Sequence, residues 1–387
     1  KKTKQTITLC MIVKNESTVI ARSFDSVKDF VDYFCICDTG SSDGTQDTIR
    51  KYLSDNNLSG EVYDTKWVDF GHNRTEAFNL ASGTSDYIMT LDADEVFIPY
   101  VGNKVVKSGK ISTLPELKSD SIKVKTVWNG GYEYFRLQFF KDGLDWRWEQ
   151  PVHEYCWSPK SKTKDTLDDV CVVPTPDGAR SRDPHKYKKD AIIFETYLLD
   201  HPEDSRSWFY LAQSYRDCGN LKRALEALEK VLELGGWDEE IFEAKLRKAR
   251  FIAALEGMDK AIPHYLEAFN TRSSRAEPLY ELLAYFRMMD KFEVGILLGE
   301  TANSIPYPKD QLFISRAVYE WKIKDELSIC YYWVGKYKES LNLTQQILDE
   351  KSALIDDEAL ERIKRNHQFS KDKLYAPPEP EGPVGPR

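Results

Sequence analysis

The sequence predicts an α/β domain with a Rossmann-like, largely parallel sheet, followed by an all-α array of helical hairpins. Two observations carry this expectation. The first ~100 residues alternate between short apolar runs rich in β-branched residues and segments with helical periodicity. From about Lys186 onward the texture becomes helical throughout, with small and large apolar residues recurring at fixed offsets.

The elements follow in order. Ile7-Thr8-Leu9-Cys10-Met11-Ile12-Val13 reads as a first strand that stops at Lys14-Asn15-Glu16. A helix with Val19, Ile20, Phe24 and Val27 on one stripe follows it. Tyr33 to Cys37 is the next strand, closed by Asp38-Thr39-Gly40-Ser41-Ser42-Asp43-Gly44-Thr45. A helix from about Thr45 carries Ile49, Tyr52 and Leu53. Gly60 to Asp64 reads as a third strand, Asn73 to Ala81 as a helix, and Tyr87 to Leu91 as a fourth strand. In such sheets the loops at the carboxyl ends of the strands form the ligand crevice. The polar stretches 14–16, 38–45 and 92–95 are therefore expected on one edge. Ile122 to Trp157 is strand-rich and aromatic, and residues 158–186 are polar and suit a linker or flap.

In the second half, Trp208, Leu211, Ala212, Tyr215, Ala224, Leu228 and Val231 fall at tetratricopeptide spacing. Weaker copies lie at Ala261, Tyr265 and Ala268, at Leu279, Leu283 and Phe292, and at Leu327, Tyr331, Gly335, Tyr337, Leu341 and Ile347. One hairpin cannot bury its own apolar face, so the units are expected to stack. The predicted organisation is an α/β domain over 1–175, a linker or flap over 176–190, and helical repeats over 191–350. A C-terminal helix and disordered tail are expected over 351–387.

Composition bounds the function. A chain of 387 residues with 41% apolar side chains supports two cores, and no run of about eighteen apolar residues exists to span a membrane. The opening Lys1-Lys2-Thr3-Lys4-Gln5 leads into the first strand without a signal-peptide cleavage pattern. A net charge of −9 argues against a nucleic-acid surface but not against one nucleotide pocket. The seven cysteines are odd in number and sit mostly in apolar or helical stretches, which reads as reduced, buried thiols without zinc spacing. Sequons at Asn15 and Asn73 fall within the expected pocket, with others at Asn57 and Asn342. A glycan in the pocket would block it, so a compartment without N-glycosylation, such as the cytoplasm, is expected.

The strongest chemical signal is Leu91-Asp92-Ala93-Asp94-Glu95 directly after an apolar strand. Two carboxylates one residue apart at a strand end suit a hard divalent cation that binds a diphosphate and neutralises a leaving group. Taken alone, such a pair is more often a helix cap or a solvated turn than a metal site. Asp38 ends the second strand, where a carboxylate can accept from a base or ribose, and Gly40 and Gly44 permit tight turns. Arg74 would present a guanidinium to phosphate or base, although an isolated helical Arg is more often a surface ion pair. The aromatic residues Trp128, Trp146 and Trp148 suit either sugar stacking or core packing.

Cys10-Met11-Ile12-Val13-Lys14-Asn15-Glu16, Asp38 to Thr45, Asn73-Arg74 and Leu91-Asp92-Ala93-Asp94-Glu95, in that order and spacing, resemble the family 2 glycosyltransferases of GT-A fold. Trp146-Arg147-Trp148-Glu149, Pro151-Val152-His153-Glu154, Ser181 to Tyr187 and Phe209 to Asp217 resemble the branch of that family with tetratricopeptide repeats attached. The resemblance implies a metal-dependent, inverting transfer of a hexose-type sugar from a nucleotide-diphosphate sugar, a uridine diphosphate sugar by preference, to an acceptor hydroxyl. It implies nucleotide contacts from Asp38, Arg74, Asp92, Val13, Asn15 and Glu16. It implies Mn²⁺ or Mg²⁺ held by Asp94, Asp92 and His153, with His153 on a strand returning to the site. The catalytic base is expected among Glu154, Glu149 and Asp145, with Glu154 preferred. Arg180 and Arg182 suit a flap over the diphosphate or a solvated linker.

The acceptor is open: a glycan, a peptide or a lipid-linked molecule. The repeats suit acceptor recognition, self-association as a homo-oligomer, or a structural brace. An inactive transferase-like scaffold that binds proteins through its repeats is the alternative. A nucleotidyltransferase is disfavoured because Lys14-Asn15-Glu16-Ser17 holds no glycine to cradle a triphosphate.

Overall fold

The computed structural model describes residues 5–128 and 132–375; the tail expected after Tyr375 lies outside them. Two compact units divide the chain. The first comprises Lys1–Asn129, Glu133–Ala244 and Gln311–Phe313, and the second Gly130–Tyr132, Lys245–Asp310 and Ile314–Arg387.

In the first unit the expected alternation holds: β1 (Ile7–Val13), α1 (Ile20–Val27), β2 (Tyr33–Asp38), α2 (Thr45–Asp55), β3 (Gly60–Asp64), α3 (Phe70–Ala81) and β4 (Tyr87–Thr90). Helix α3 starts ahead of the expected Asn73 because Asp69 caps it, its side chain accepting from the His72 N–H. Then come β5 (Glu95–Val101), β6 (Lys104–Val105), β7 (Ser121–Val127), β8 (Tyr132–Lys141), β9 (Arg147–Glu149), β10 (Tyr155–Trp157) and β11 (Lys164–Pro174). The sheet order is β3-β2-β1-β4-β8-β7-β11-β5-β6, with β9 and β10 forming a separate two-stranded ribbon.

The sheet is parallel from β3 to β4 and again between β7 and β11. Beyond that, β8 runs antiparallel to β4 and β7, and β5 antiparallel to β11. Consecutive β7 and β8 pair antiparallel, as a short connection requires, whereas β11 joins β7 in parallel only after the chain has passed through β8, β9 and β10. The largely parallel sheet is thus corrected to a mixed one. A second correction concerns residues 158–186. Lys164–Pro174 is an inner strand, because Val170, Cys171 and Val172 are buried between β7 and β5. Its charged first half hides this in the sequence.

Phe24, Phe34, Phe97 and Phe139 are fully buried, and Phe24 meets Phe34 edge-on at 5.1 Å. On the other face, Phe78 lies 5.2 Å from Phe140 and 5.5 Å from Trp148, while Trp146 packs on Phe140. Core packing therefore accounts for Trp146 and Trp148, and Trp128 is exposed. Helices α4 (Lys186–Asp200), α5 (Ser205–Asp217) and α6 (Leu221–Leu234) complete the first unit, which runs well past residue 175. Ala212 and Ala224 are buried where α5 and α6 pair. Six of the seven free cysteines are buried; Cys218, at the turn after α5, is exposed.

The second unit begins inside α7 (Asp238–Glu256). It holds α8 (Met258–Thr271), α9 (Glu277–Met288), α10 (Phe292–Asn303), α11 (Ile323–Trp333), α12 (Tyr337–Glu350) and α13 (Asp357–Tyr375). Successive helices pack as hairpins around Leu279, Leu283, Ile296, Leu327 and Leu343. No helix among the described residues is long and apolar enough to cross a membrane.

Candidate functional site

The loops after β1, β2 and β4 meet at one edge of the first unit. The Asn15 N–H donates to Ser41 Oγ at 2.8 Å, and the Ser42 N–H to Asn15 Oδ1 at 2.8 Å. The Glu16 N–H donates to Thr45 Oγ1 at 2.8 Å, and the Thr39 N–H to the Val13 carbonyl at 2.9 Å. Asn15, Gly40 and Gly44 all have positive φ, as these turns require. Val13, Asn15 and Glu16 therefore lie where the sequence places them, bonded to the loop that follows Asp38.

Asp38 is fully buried at the end of β2. Its Oδ1 accepts from the Gly40 and Ser41 N–H groups at 2.8 and 2.7 Å. Its Oδ2 is buried and has no hydrogen-bond partner. An unpaired buried carboxylate oxygen is costly to leave unmet, so this atom is poised for a donor supplied from outside the chain.

Arg74, on α3, joins two distant carboxylates. It donates to Asp92 Oδ1 at 2.7 Å and, through Nε, to Glu154. Arg136 on β8 adds a second guanidinium, 2.6 Å from Glu95 and 3.8 Å from Asp92. Burial alone would raise the Asp92 carboxyl; Arg74 first, then Arg136, outweigh it and hold Asp92 below the usual range.

Asp94 has no ion pair among the described residues. Burial, then the Asp92 and Glu95 charges, push its carboxyl up to about 6. Glu16 is pushed up to about 7, chiefly by burial, with Asp94 adding repulsion. A strap folds over both. The Ala179 N–H donates to both Glu16 carboxylate oxygens at 3.1 Å, and the Thr175 N–H to the Asp94 carbonyl at 2.7 Å. A Cβ at Gly178 would sit 2.5 Å from Asp94 Oδ2, so glycine allows this approach. Arg22 anchors the strap at Asp177, and Arg182 reaches the Asn15 carbonyl at 3.3 Å. Arg180 is held in a bidentate pair by Asp190 at 2.6 and 2.7 Å and lies 4.6 Å over Phe70. The two arginines are thus held on the folded strap rather than lying on a solvated linker.

Val13, Asn15, Glu16, Asp38, Arg74, Asp92, Asp94 and Glu154 occupy this edge or pair across it, while Glu149 and Asp145 pair elsewhere. His153 lies on a bend with φ 54° between β9 and β10, not on a strand, because the chain turns sharply from Gln150 to His153. Its ring stacks 4.4 Å from Tyr210. Glu149 accepts from the Trp157 indole N–H, and Asp145 pairs with Lys160 at 2.5 Å. Neither makes a hydrogen bond or ion pair with Arg74, Asp92 or Asp94. Among the described residues, no three His, Cys, Asp or Glu side chains gather as a metal cluster. The Asp94 carboxylate is a hard oxygen donor of the kind that Mg²⁺ and Mn²⁺ take. The sequence reading missed Arg136 and the backbone donor of Ala179. The only signal for Arg136 was a cation between aromatic and aliphatic neighbours in a strand; a backbone donor leaves no signal.

The fold and this edge define a glycosyltransferase-type α/β domain with helical repeats attached. Residues 8–108 match the model of Glycosyl transferase family 2, and residues 205–235 that of the Tetratricopeptide repeat. The chain therefore joins a family 2 glycosyltransferase domain to a segment of tetratricopeptide repeat type. A TPR repeat-containing protein of Synechococcus elongatus is 27% identical over 276 residues, covering 68% of this chain and 65% of that protein. The SPbeta prophage-derived glycosyltransferase SunS of Bacillus subtilis is 33% identical over 107 residues, covering 27% of this chain and 24% of that protein. The chain spans less than two thirds of the length of either relative. The crystal structure of MamA is similar at 17% identity and a TM-score of 0.36, over 44% of this chain and 92% of that one.

Proposed function

We propose that the protein transfers a hexose-type sugar from a uridine diphosphate sugar to an acceptor hydroxyl, with inversion and with the help of Mn²⁺ or Mg²⁺. The observation that carries this reading is the unpartnered Asp38 Oδ2, buried at the same sheet edge as the β1 loop. A carboxylate oxygen can only accept, and uracil offers an N–H at its recognition edge. Asp92 would reach the ribose or the metal. Asp94 is the principal metal ligand, and His153, next in the chain to Glu154, is the candidate second ligand. When bound, the cation would neutralise charge on the departing diphosphate. Arg74 would exchange one of its carboxylates for a diphosphate oxygen, which releases Glu154 to take the acceptor proton.

A screen of donor hydrolysis across nucleotide sugars with Mn²⁺ tests this. Uridine diphosphate sugars should be turned over by the native protein and not by Asp94→Ala. Equal metal-dependent hydrolysis by both would remove Asp94 from the reading. The second reading, a scaffold acting through its repeats in protein binding or self-association, draws on the cyanobacterial relative, which is named for its repeats alone. Calorimetry with uridine diphosphate and Mn²⁺ separates the two, since a dead pocket gives no metal-dependent heat. The absence of a membrane-crossing helix among the described residues is compatible with a cytoplasmic setting, which belongs to the same proposal.

A further inference from the structure

A groove of about 530 Å³ lies between α3 and β9, on the first unit. Its walls carry His72, Glu76 and Asn79 from the helix and Arg147 and Glu149 from the strand, and Trp148 also lines it. The two elements approach closely because residue 71 is glycine; a Cβ there would stand 2.6 Å from the Gln150 carbonyl oxygen. The Trp148 N–H of the main chain donates to Thr75 Oγ1 at 2.9 Å and fixes the spacing. The indole N–H of Trp148 is buried and has no acceptor.

The ribbon of β9 and β10 extends this groove with aromatic surface. Tyr155 stands opposite Glu149, and Trp157 opposite Arg147. Tyr155 and Trp157 are 43% and 40% exposed, while Cys156 between them is buried, so both rings lie on the outer face. Trp157 donates its indole N–H to Glu149 at 3.0 Å, which holds that ring beside a groove-lining carboxylate.

We propose that this groove and the adjoining Trp157 ring form a saccharide-binding site. Aromatic rings present a flat apolar face that suits the C–H face of a sugar. The ring of paired donors and acceptors suits hydroxyl groups. Two carboxylates against one guanidinium disfavour a phosphorylated or acidic ligand. The site faces away from Arg74: Glu154 reaches inward to that guanidinium, and the next residue, Tyr155, lies on the outer face. Its use as an anchor for the non-reacting end of an acceptor glycan rests on the transferase reading; the binding itself does not.

The test uses the full chain without metal or donor. Native protein is applied to an array of neutral oligosaccharides of glucose, galactose, mannose and N-acetylglucosamine, and hits are titrated by tryptophan fluorescence. At least one oligosaccharide should bind. Trp157→Ala, which removes the platform, and Asn79→Trp, which fills the groove from an exposed helical position, should each weaken binding at least ~10-fold. Both should leave metal-dependent donor hydrolysis within about twofold of native. Absence of any oligosaccharide binding, unchanged binding in both variants, or binding of inorganic phosphate or peptides in place of sugars would overturn the proposal. Loss of donor hydrolysis in the native protein would instead count against the transferase reading alone.

Discussion

The Arg74 guanidinium binds Asp92 at 2.7 Å and Glu154 at the same time, joining groups 18 and 80 residues away in the chain. Its side chain is 12% exposed and that of Glu154 11%. Arg74→Ala would leave the nearly enclosed Glu154 carboxylate without this cation and Asp92 with Arg136 alone. We expect a loss on the order of 2 kcal/mol, below the full cost for a deeply buried pair because Asp92 keeps partial access to water. Donor hydrolysis should fall at least ~100-fold. Arg74→Lys, which keeps the charge but not the fork, should recover stability more than rate. Thermal melts beside turnover would show this, and equal recovery of both would contradict it.

Asp38→Asn exchanges an acceptor for an amide while Oδ1 can still accept from Gly40 and Ser41. A donor then occupies the place of the unpartnered Oδ2. Uridine diphosphate should bind ~10–100-fold more weakly. Cytidine diphosphate, whose base offers an acceptor at that edge, should lose much less. Calorimetry with both nucleotides decides it; unaltered uridine diphosphate affinity would remove Asp38 from base recognition.

Asp94 and Glu16 bear on stability against pH. Both hold protons more tightly when folded, near 6 and 7, than at their ordinary values. The folded chain therefore binds more protons than the unfolded chain from about pH 4 to pH 7, and stability falls as pH rises through that window. Asp94→Asn removes one of the two charges that appear there. In metal-free protein this variant should melt above native at pH 8 and close to native at pH 4. A gain of equal size at both values would show that the charge is not the cause.

Gly178→Ala pushes a methyl group against Asp94. The cheapest relief is for the strap to lift, breaking the bonds from the Ala179 N–H to Glu16. Limited proteolysis should cut the variant faster between Thr175 and Lys186, and the Ala179 amide should exchange faster. Native-like protection of both would mean that the strap absorbs the methyl in place.

What the sequence revealed depended on the range of the interaction. Strands β1 to β4 and their loops were legible because alternation and turn residues are local, and Asp38 and Asp94 sit at strand ends that such patterns locate. Strand β11 was not, since four apolar residues after a charged stretch resemble a flap until β7 and β5 enclose them. The bonds from Arg74 to Glu154 and from Ala179 to Glu16 depend on pairing across distant segments, and one involves a backbone atom that carries no side-chain signature. His153 stands on a left-handed bend that no spacing rule anticipates.

The thiols offer a practical handle. Burial pushes Cys171 and Cys330 up to about 12, and Cys35, Cys37 and Cys156 also stay protonated, whereas Cys218 faces water. A maleimide dye applied to native protein at neutral pH should therefore attach at one position, the turn joining the first repeat hairpin. That yields a uniformly tagged molecule for single-particle fluorescence without removing a single cysteine.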